Sequence, residues 1–326
     1  MYLTFYGLAD KPFNATPDPR FLYMSPGHRE ALAQLQYGVE ERKGFIVLTG
    51  KVGTGKTTLL QALRQRLDSQ TAISSVFNCT LPFDSILEYV LEDLEIAKGG
   101  ESPAQRLMAL NNFLIERART GQNTALILDE AQNLSPSTLE QIRLLSNFET
   151  PTSKLLQILL VGQPELAETL RLPELGQLKQ RVGLRCQIPP LTPQETREYI
   201  RTRLRIAGAR DVGLFTDPAV DRISEYSRGI PRLISTVCDH CLLFAYADQQ
   251  RRIDRTMVDQ AVDYLEEGTP ARRRVGGLRR SRAQRFLWWG LGAVTAGLTG
   301  AVLGLALRSD AALLSVVQSV RTLLVP

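Results

Sequence analysis

The sequence predicts an α/β fold: a parallel-sheet core, then a C-terminal helical lid, then one transmembrane helix. Three observations carry that prediction. Short apolar runs alternate with helical periods as far as Pro189 and Pro190, only helical periods follow them, and residues 286–307 hold no charge. The expected limits are 1–44 for an aromatic and proline-rich segment with the first helix, 45–190 for the core and 191–268 for the lid. After these come a polybasic linker at 269–285, the transmembrane helix at 286–307 and a short tail at 308–326.

Residues 1–28 are rich in aromatics and proline without a helical period, so Tyr2, Phe5, Tyr6, Phe13 and Tyr23 are expected to pack on the body of the fold or to cover a base. A helix follows at 26–42, with Ala31, Leu32, Leu35 and Val39 on one face. The first strand, 45–49, stops at Gly50. From there Gly50, Lys51, Val52, Gly53, Thr54, Gly55, Lys56 and Thr57 match G-x-x-x-x-G-K-[ST], and a helical run from Thr58 follows at once. Strand, glycine-rich loop and helix in that order form a phosphate cradle: Gly50, Val52, Gly53, Thr54, Gly55 and Thr58 offer backbone groups and a helix N-terminus. Lys56 supplies a charge to the β- and γ-phosphates of ATP, and Thr57 a hydroxyl to Mg²⁺.

A second strand is expected at 72–79, and amphipathic helices at 83–94 and 103–120. The apolar run 125–128 ends in Asp129 and Glu130. A carboxylate at a strand end suits the Mg²⁺ shell, and the next one suits orienting or deprotonating the attacking water; Asp129 and Glu130 are assigned these roles. Ser135 and Pro136 open a helix through Leu139, Ile142, Leu145 and Phe148. The strand 155–162 then leads to Gln163, placed either to sense the γ-phosphate or to cap the loop. A short helix at 175–182 bears Arg181, either a surface charge or an arginine reaching a neighbouring subunit, and a last strand occupies 184–188.

Beyond the two prolines, Thr192, Pro193 and Glu195 form a capping-box start. Gly208, Gly229 and Gly268 punctuate four lid helices. Arg232 lies at the amino end of the third, where it either meets a phosphate or serves the fold.

Charge is unevenly spread. The net charge is +5, yet with the nine arginines and Asp310 beyond residue 271 set aside, 30 basic residues face 33 acidic ones. A general nucleic-acid patch is therefore not indicated, and nucleic acid is not an expected partner. The four cysteines at 79, 186, 238 and 241 are too scattered for a disulfide framework. Residues 286–307 would span about 33 Å as a helix, enough for a bilayer core. With arginines concentrated on its amino side, this predicts a single-pass protein of the inner membrane with the ATPase domain in the cytoplasm. A buried core helix is the alternative.

Taken together, the opening FYGL, KPF and TPDPRFLYMSPGHREAL, then GKVGTGKTT, LILDEAQ, ILLVGQPEL, QLKQRV and SRGIPRLI, resemble the AAA+ ATPases of the general secretion pathway protein A family over residues 1–267. The resemblance implies a five-stranded ATPase core with its two Walker strands separated by another, and a helical lid. It also implies Gln163 as sensor 1, Arg181 as a trans-acting arginine finger, Arg232 as sensor 2, ATP and Mg²⁺ as cofactors, and a homo-oligomer partnered by envelope secretion or export proteins. Longer members carry a periplasmic peptidoglycan-binding module beyond the span. The chain looks closer to shorter ATPases associated with polysaccharide export and exosortase systems. Two other functions remain open on the residues: a helper of DNA transactions, and a nucleotide-gated scaffold with little turnover.

Overall fold

A computed structural model describes residues 2–14, 18–96 and 102–268. In chain order the described elements are α1 (Tyr2–Tyr6), α2 (Pro26–Glu40), β1 (Phe45–Gly50), α3 (Lys56–Arg66), β2 (Thr71–Val76), α4 (Phe83–Asp93), α5 (Pro103–Arg119), β3 (Asn123–Leu128) and α6 (Pro136–Leu145). They continue with β4 (Gln157–Gly162), α7 (Pro164–Thr169), α8 (Gly176–Arg181), β5 (Val182–Ile188), α9 (Pro193–Ile206), α10 (Asp217–Ser227), α11 (Pro231–Ala247) and α12 (Arg255–Glu267).

The five described strands form one sheet in the order β2-β3-β4-β1-β5, every pair parallel. The expected separation of β1 from β3 by another strand is thus met by β4. Parallel strands need crossovers that cover both faces, so their sequences read as unbroken apolar runs. Alternation then sorts each run. Phe45 and Val47 join Leu126, Leu128, Ile158 and Leu160 under the face packed by α4 to α8. Ile46 and Leu48 join Ala125, Ile127, Leu159 and Val161 under α2 and α3.

A third core lies among α9 to α12, and it holds the amino-terminal segment. Tyr2, Tyr6, Leu8, Phe13 and Phe21 are buried with Tyr199, Ile200, Phe215, Ile234 and Cys238. Polar contacts fix the same pairing: Tyr2 Oη donates to Asp239 Oδ1 at 2.7 Å, Tyr6 Oη to the Gln250 carbonyl at 2.9 Å, and Arg203 Nε to the Pro12 carbonyl at 2.6 Å. The opening aromatics are therefore part of the helical body. Helix starts follow their caps: Thr192 and Glu195 make the reciprocal capping box on α9, and the Asp254 side chain accepts from Met257 N–H on α12. Cys238 and Cys241 are both buried thiols on α11.

The expected single-pass placement in the inner membrane, with the ATPase domain in the cytoplasm, is corrected. Among the described residues no helix is long and apolar enough to cross a membrane. The longest, α5 and α11, have 17 residues each, or about 25 Å, short of a hydrocarbon core of about 30 Å. The expected span at 286–307, with its linker and tail, lies outside the described residues.

Where the helical body joins the core, Gly229 sits at φ +73°, and a Cβ there would stand 1.9 Å from the Leu191 carbonyl oxygen. Leu191 N–H donates to the Gly229 carbonyl at 2.8 Å, which holds the approach. Gly229→Ala is expected to lower unfolding free energy by about 3 kcal/mol, through left-handed strain plus overpacking, measured by denaturant titration. A change under about 0.5 kcal/mol would contradict this contact.

Candidate nucleotide-binding site

The loop between β1 and α3 is shaped by its two positive-φ glycines, Gly53 at +79° and Gly55 at +99°. Thr54 turns inward: its side chain is buried, and its Oγ1 and N–H both donate to the Lys51 carbonyl, at 2.8 and 3.2 Å. Lys56 is buried in the first turn of α3, and its Nζ donates to the Gly50 carbonyl at 3.0 Å. Thr58 follows on the same turn, and Val52 at the loop tip is exposed.

Asp129, the first residue past β3, is buried beside this loop. Thr57 Oγ1 donates to its Oδ2 at 3.3 Å, and Glu130 N–H donates to its Oδ1 at 2.9 Å. Burial raises the Asp129 carboxyl above its ordinary value, and the Glu130 charge adds to this; the bonds from Glu130 N–H and Thr57 and the Lys56 charge pull it back. A cation between Thr57 and Asp129 would relieve that cost. The donor set fits Mg²⁺, which takes hard oxygens, few from protein and the rest from water and phosphate. Among the described residues no group of three or more His, Cys, Asp and Glu side chains is placed to hold a metal by itself.

Glu130 has φ +56°, a left-handed conformation uncommon for a residue with a Cβ. Two amides hold its carboxylate: Gln132 Nε2 donates to Oε2 at 2.6 Å and Gln163 Nε2 to the same oxygen at 3.4 Å. Gln132 Oε1 accepts in turn from Gln163 N–H at 3.0 Å. Gly162 makes room for this, since a Cβ there would meet Gln132 Oε1 at 2.7 Å. Because β4 lies between β1 and β3, its end delivers Gln163 to Glu130. Gln132 was not foreseen from the sequence, although it stands two residues after Glu130 in the DEAQ run.

A cleft opens beside the loop, lined by Phe21, Tyr23, His28, Thr58 and Tyr199 among others. Arg203 stiffens its wall, stacking on the Phe21 and Tyr199 rings with its carbon 5.2 and 5.4 Å from their centroids. The two candidate arginines lie apart. Arg232 meets the loop through its backbone, its N–H donating to the Gly53 carbonyl at 3.2 Å, while its side chain is exposed. Arg181 instead bonds Ser146 Oγ and, at 2.7 Å, Asn147 Oδ1 at the end of α6. No contact among the described residues brings its guanidinium to the loop of its own chain.

A family profile described as an AAA domain matches residues 39–170. General secretion pathway protein A of Aeromonas hydrophila is 41% identical over 254 residues, 78% of this chain and 46% of that one. The chain belongs with the AAA+ proteins related to general secretion pathway protein A. It spans less than half the length of that relative and of a second similar protein, an uncharacterized HTH-type transcriptional regulator of Methanocaldococcus jannaschii, 28% identical over 50% of this chain and 40% of that one. In fold, this AAA+ protein is similar to the Aeropyrum pernix ORC2 protein, solved as ADPNP and ADP complexes (TM-score 0.60, 18% identity, 79% of this chain and 72% of that chain). It is also similar to A. pernix ORC1 in complex with DNA (TM-score 0.56, 19% identity, 78% and 69%).

His28, buried on the first turn of α2, also reaches the loop. Burial pushes its imidazole below the ordinary value near 6.5, against the pull of the Thr54 carbonyl and the Glu195 charge. The folded AAA+ protein then binds fewer protons than the unfolded chain in this window, so the contribution of His28 is intact above about pH 6.5 and is lost as pH falls through the folded value. Chemical denaturation between pH 7.5 and 5 should show unfolding free energy falling as the pH is lowered, with a shallower fall in His28→Gln. Identical slopes would remove His28 from the acid response.

Proposed function

We propose that the chain binds ATP with Mg²⁺, hydrolyses it to ADP and phosphate, and uses the cycle to drive or regulate a bacterial envelope secretion or polysaccharide-export system as a homo-oligomer. The observation that carries this reading is the Glu130 carboxylate, held by Gln132 and Gln163 beside the Thr57–Asp129 pair at a P-loop. A cradle alone would serve binding. A positioned carboxylate next to it serves hydrolysis.

In this reading the loop from Gly50 to Thr58 holds the phosphates, and Lys56 exchanges its bond to the Gly50 carbonyl for the β- and γ-phosphate oxygens. Thr57 and Asp129 would hold Mg²⁺, which when bound would supply neutralising charge next to the phosphates. Glu130 orients a water and takes its proton as oxygen attacks phosphorus. Gln163, bonded to Glu130, senses the γ-phosphate and steadies that carboxylate. Arg181 acts on a neighbouring subunit, consistent with its place away from its own loop, and Arg232 joins lid position to the loop. The secretion assignment is supported by the name of the Aeromonas relative.

A DNA-transaction role finds less support, because a likeness to ORC proteins at under 25% identity speaks to fold alone and residues 1–271 are slightly acidic. ATP turnover that rises with added duplex DNA would favour it nonetheless. A nucleotide-gated scaffold would bind ATP with negligible steady-state turnover.

Glu130→Gln is expected to leave ATP affinity within about threefold while kcat falls by roughly 10² to 10⁴. Turnover equal to wild type would take Glu130 out of the mechanism. For Arg181, the test is complementation. Arg181→Ala and Glu130→Gln chains, each inactive alone, should regain turnover when mixed, since one interface then pairs an intact Glu130 with an intact Arg181. Mixtures that stay as inactive as their components would argue against action in trans.

A further inference from the structure

The two connections between the sheet core and the helical body run side by side. One is the turn entering α2, the other the chain leaving β5: a Cβ on Gly27 would stand 2.9 Å from the Pro189 ring. His28 projects from this junction to the P-loop. Its Nε2 lies 2.9 Å from the Thr54 carbonyl oxygen and its Nδ1 lies 2.7 Å from Ser25 Oγ. A carbonyl only accepts, so Nε2 carries the proton. In the neutral ring that burial favours, Nδ1 is the acceptor, and the Ser25 hydroxyl donates to it while accepting from His28 N–H at 3.3 Å. The ring is thus a neutral imidazole with both nitrogens engaged and 3% of the residue exposed.

This contact bears on one peptide plane. In a trans peptide the carbonyl and the following N–H point in opposite directions, so fixing the Thr54 carbonyl on His28 turns Gly55 N–H away from the ring. That group belongs to the run of backbone donors which a phosphate cradle must aim together. Gly55 is fitted to the arrangement twice: its φ is +99°, and a Cβ would stand 3.2 Å from His28 Nε2. The neighbouring peptide is fixed from the opposite body, where Arg232 N–H holds the Gly53 carbonyl.

We propose that His28 is a positioning residue for the P-loop, setting the Thr54–Gly55 peptide in its phosphate-binding orientation by donating from Nε2 to the Thr54 carbonyl. The proposal rests on the reading of this loop as a nucleotide site. It makes the amino-terminal turn a working part of that site.

The experiment uses the full chain as wild type, His28→Gln, His28→Asn and His28→Phe, titrated with a fluorescent N-methylanthraniloyl ATP at a temperature where circular dichroism shows each folded. Glutamine places its amide nitrogen near the Nε2 position, whereas asparagine reaches only the Nδ1 position and phenylalanine fills the space without donating. H28Q should bind within about threefold of wild type, and H28N and H28F about tenfold more weakly, the scale of a lost buried hydrogen bond. Binding by H28N or H28F within threefold of wild type, or an equal loss in H28Q, would overturn the role. Should H28F fail to fold, the Gln and Asn variants decide alone. A wild-type chain that binds no analogue would instead refute the nucleotide reading and this proposal with it, whereas equal binding by all four chains removes only His28.

Discussion

The site exists because β3, β4 and β1 run in one direction in a fixed register. Leu128 on β3 pairs with Leu160 on β4, which pairs with Val47 on β1, so three strands reach the same edge of the sheet in a set stagger, β4 ending at Gly162 and β1 at Gly50 beyond the level of the last residue of β3. Each then releases one kind of chemistry there: the P-loop after β1, two acids after β3, a glutamine after β4. A shift of one residue in any strand would turn its apolar side chains to the wrong face and carry its terminal group along the edge by about 3.3 Å, a full hydrogen bond's length. The apolar cores on both faces therefore hold the geometry of the candidate site as well as the fold.

Around that edge the molecule uses backbone carbonyls as handles. Gly50, Gly53 and Thr54 each present a carbonyl to a different donor, from Lys56 Nζ, the Arg232 backbone and the His28 ring respectively. The first lies within the loop's own strand–helix unit. The other two come from the helical body and from the turn that enters α2, so loop shape and the placement of those segments are linked equilibria. Whatever stabilises one arrangement of the loop must by reciprocity stabilise the matching arrangement of its holders.

How much of this was legible in the sequence depends on the range of the interactions. The P-loop, Asp129 with Glu130, and the caps at Ser135, Thr192 and Asp254 are local, and their residues announce them. Strand positions were legible because a sheet covered on both faces leaves continuous apolar runs. The partner of the amino-terminal aromatics was not, since Tyr2 and Phe13 carry no period, and only the shape of the helical core selects them. Gln132 and His28 were opaque for a related reason: each acts through a contact with a distant or sharply turned backbone, and an isolated Gln or His has many ordinary uses. The helix Pro164–Thr169 was passed over because six residues hold too little pattern to register.

The placing of the opening segment among α9 to α12 also sets an order of events during synthesis. Tyr2 bonds a residue 237 positions later and Tyr6 one 244 positions later. At roughly 5 to 20 residues per second, the first aromatics leave the ribosome some ten to fifty seconds before their partners exist. The whole sheet is made in that interval. The helix Tyr2–Tyr6 is thus buried only after the sheet has been made, and its Tyr and Phe side chains are open to chaperones, or to other chains, throughout that interval.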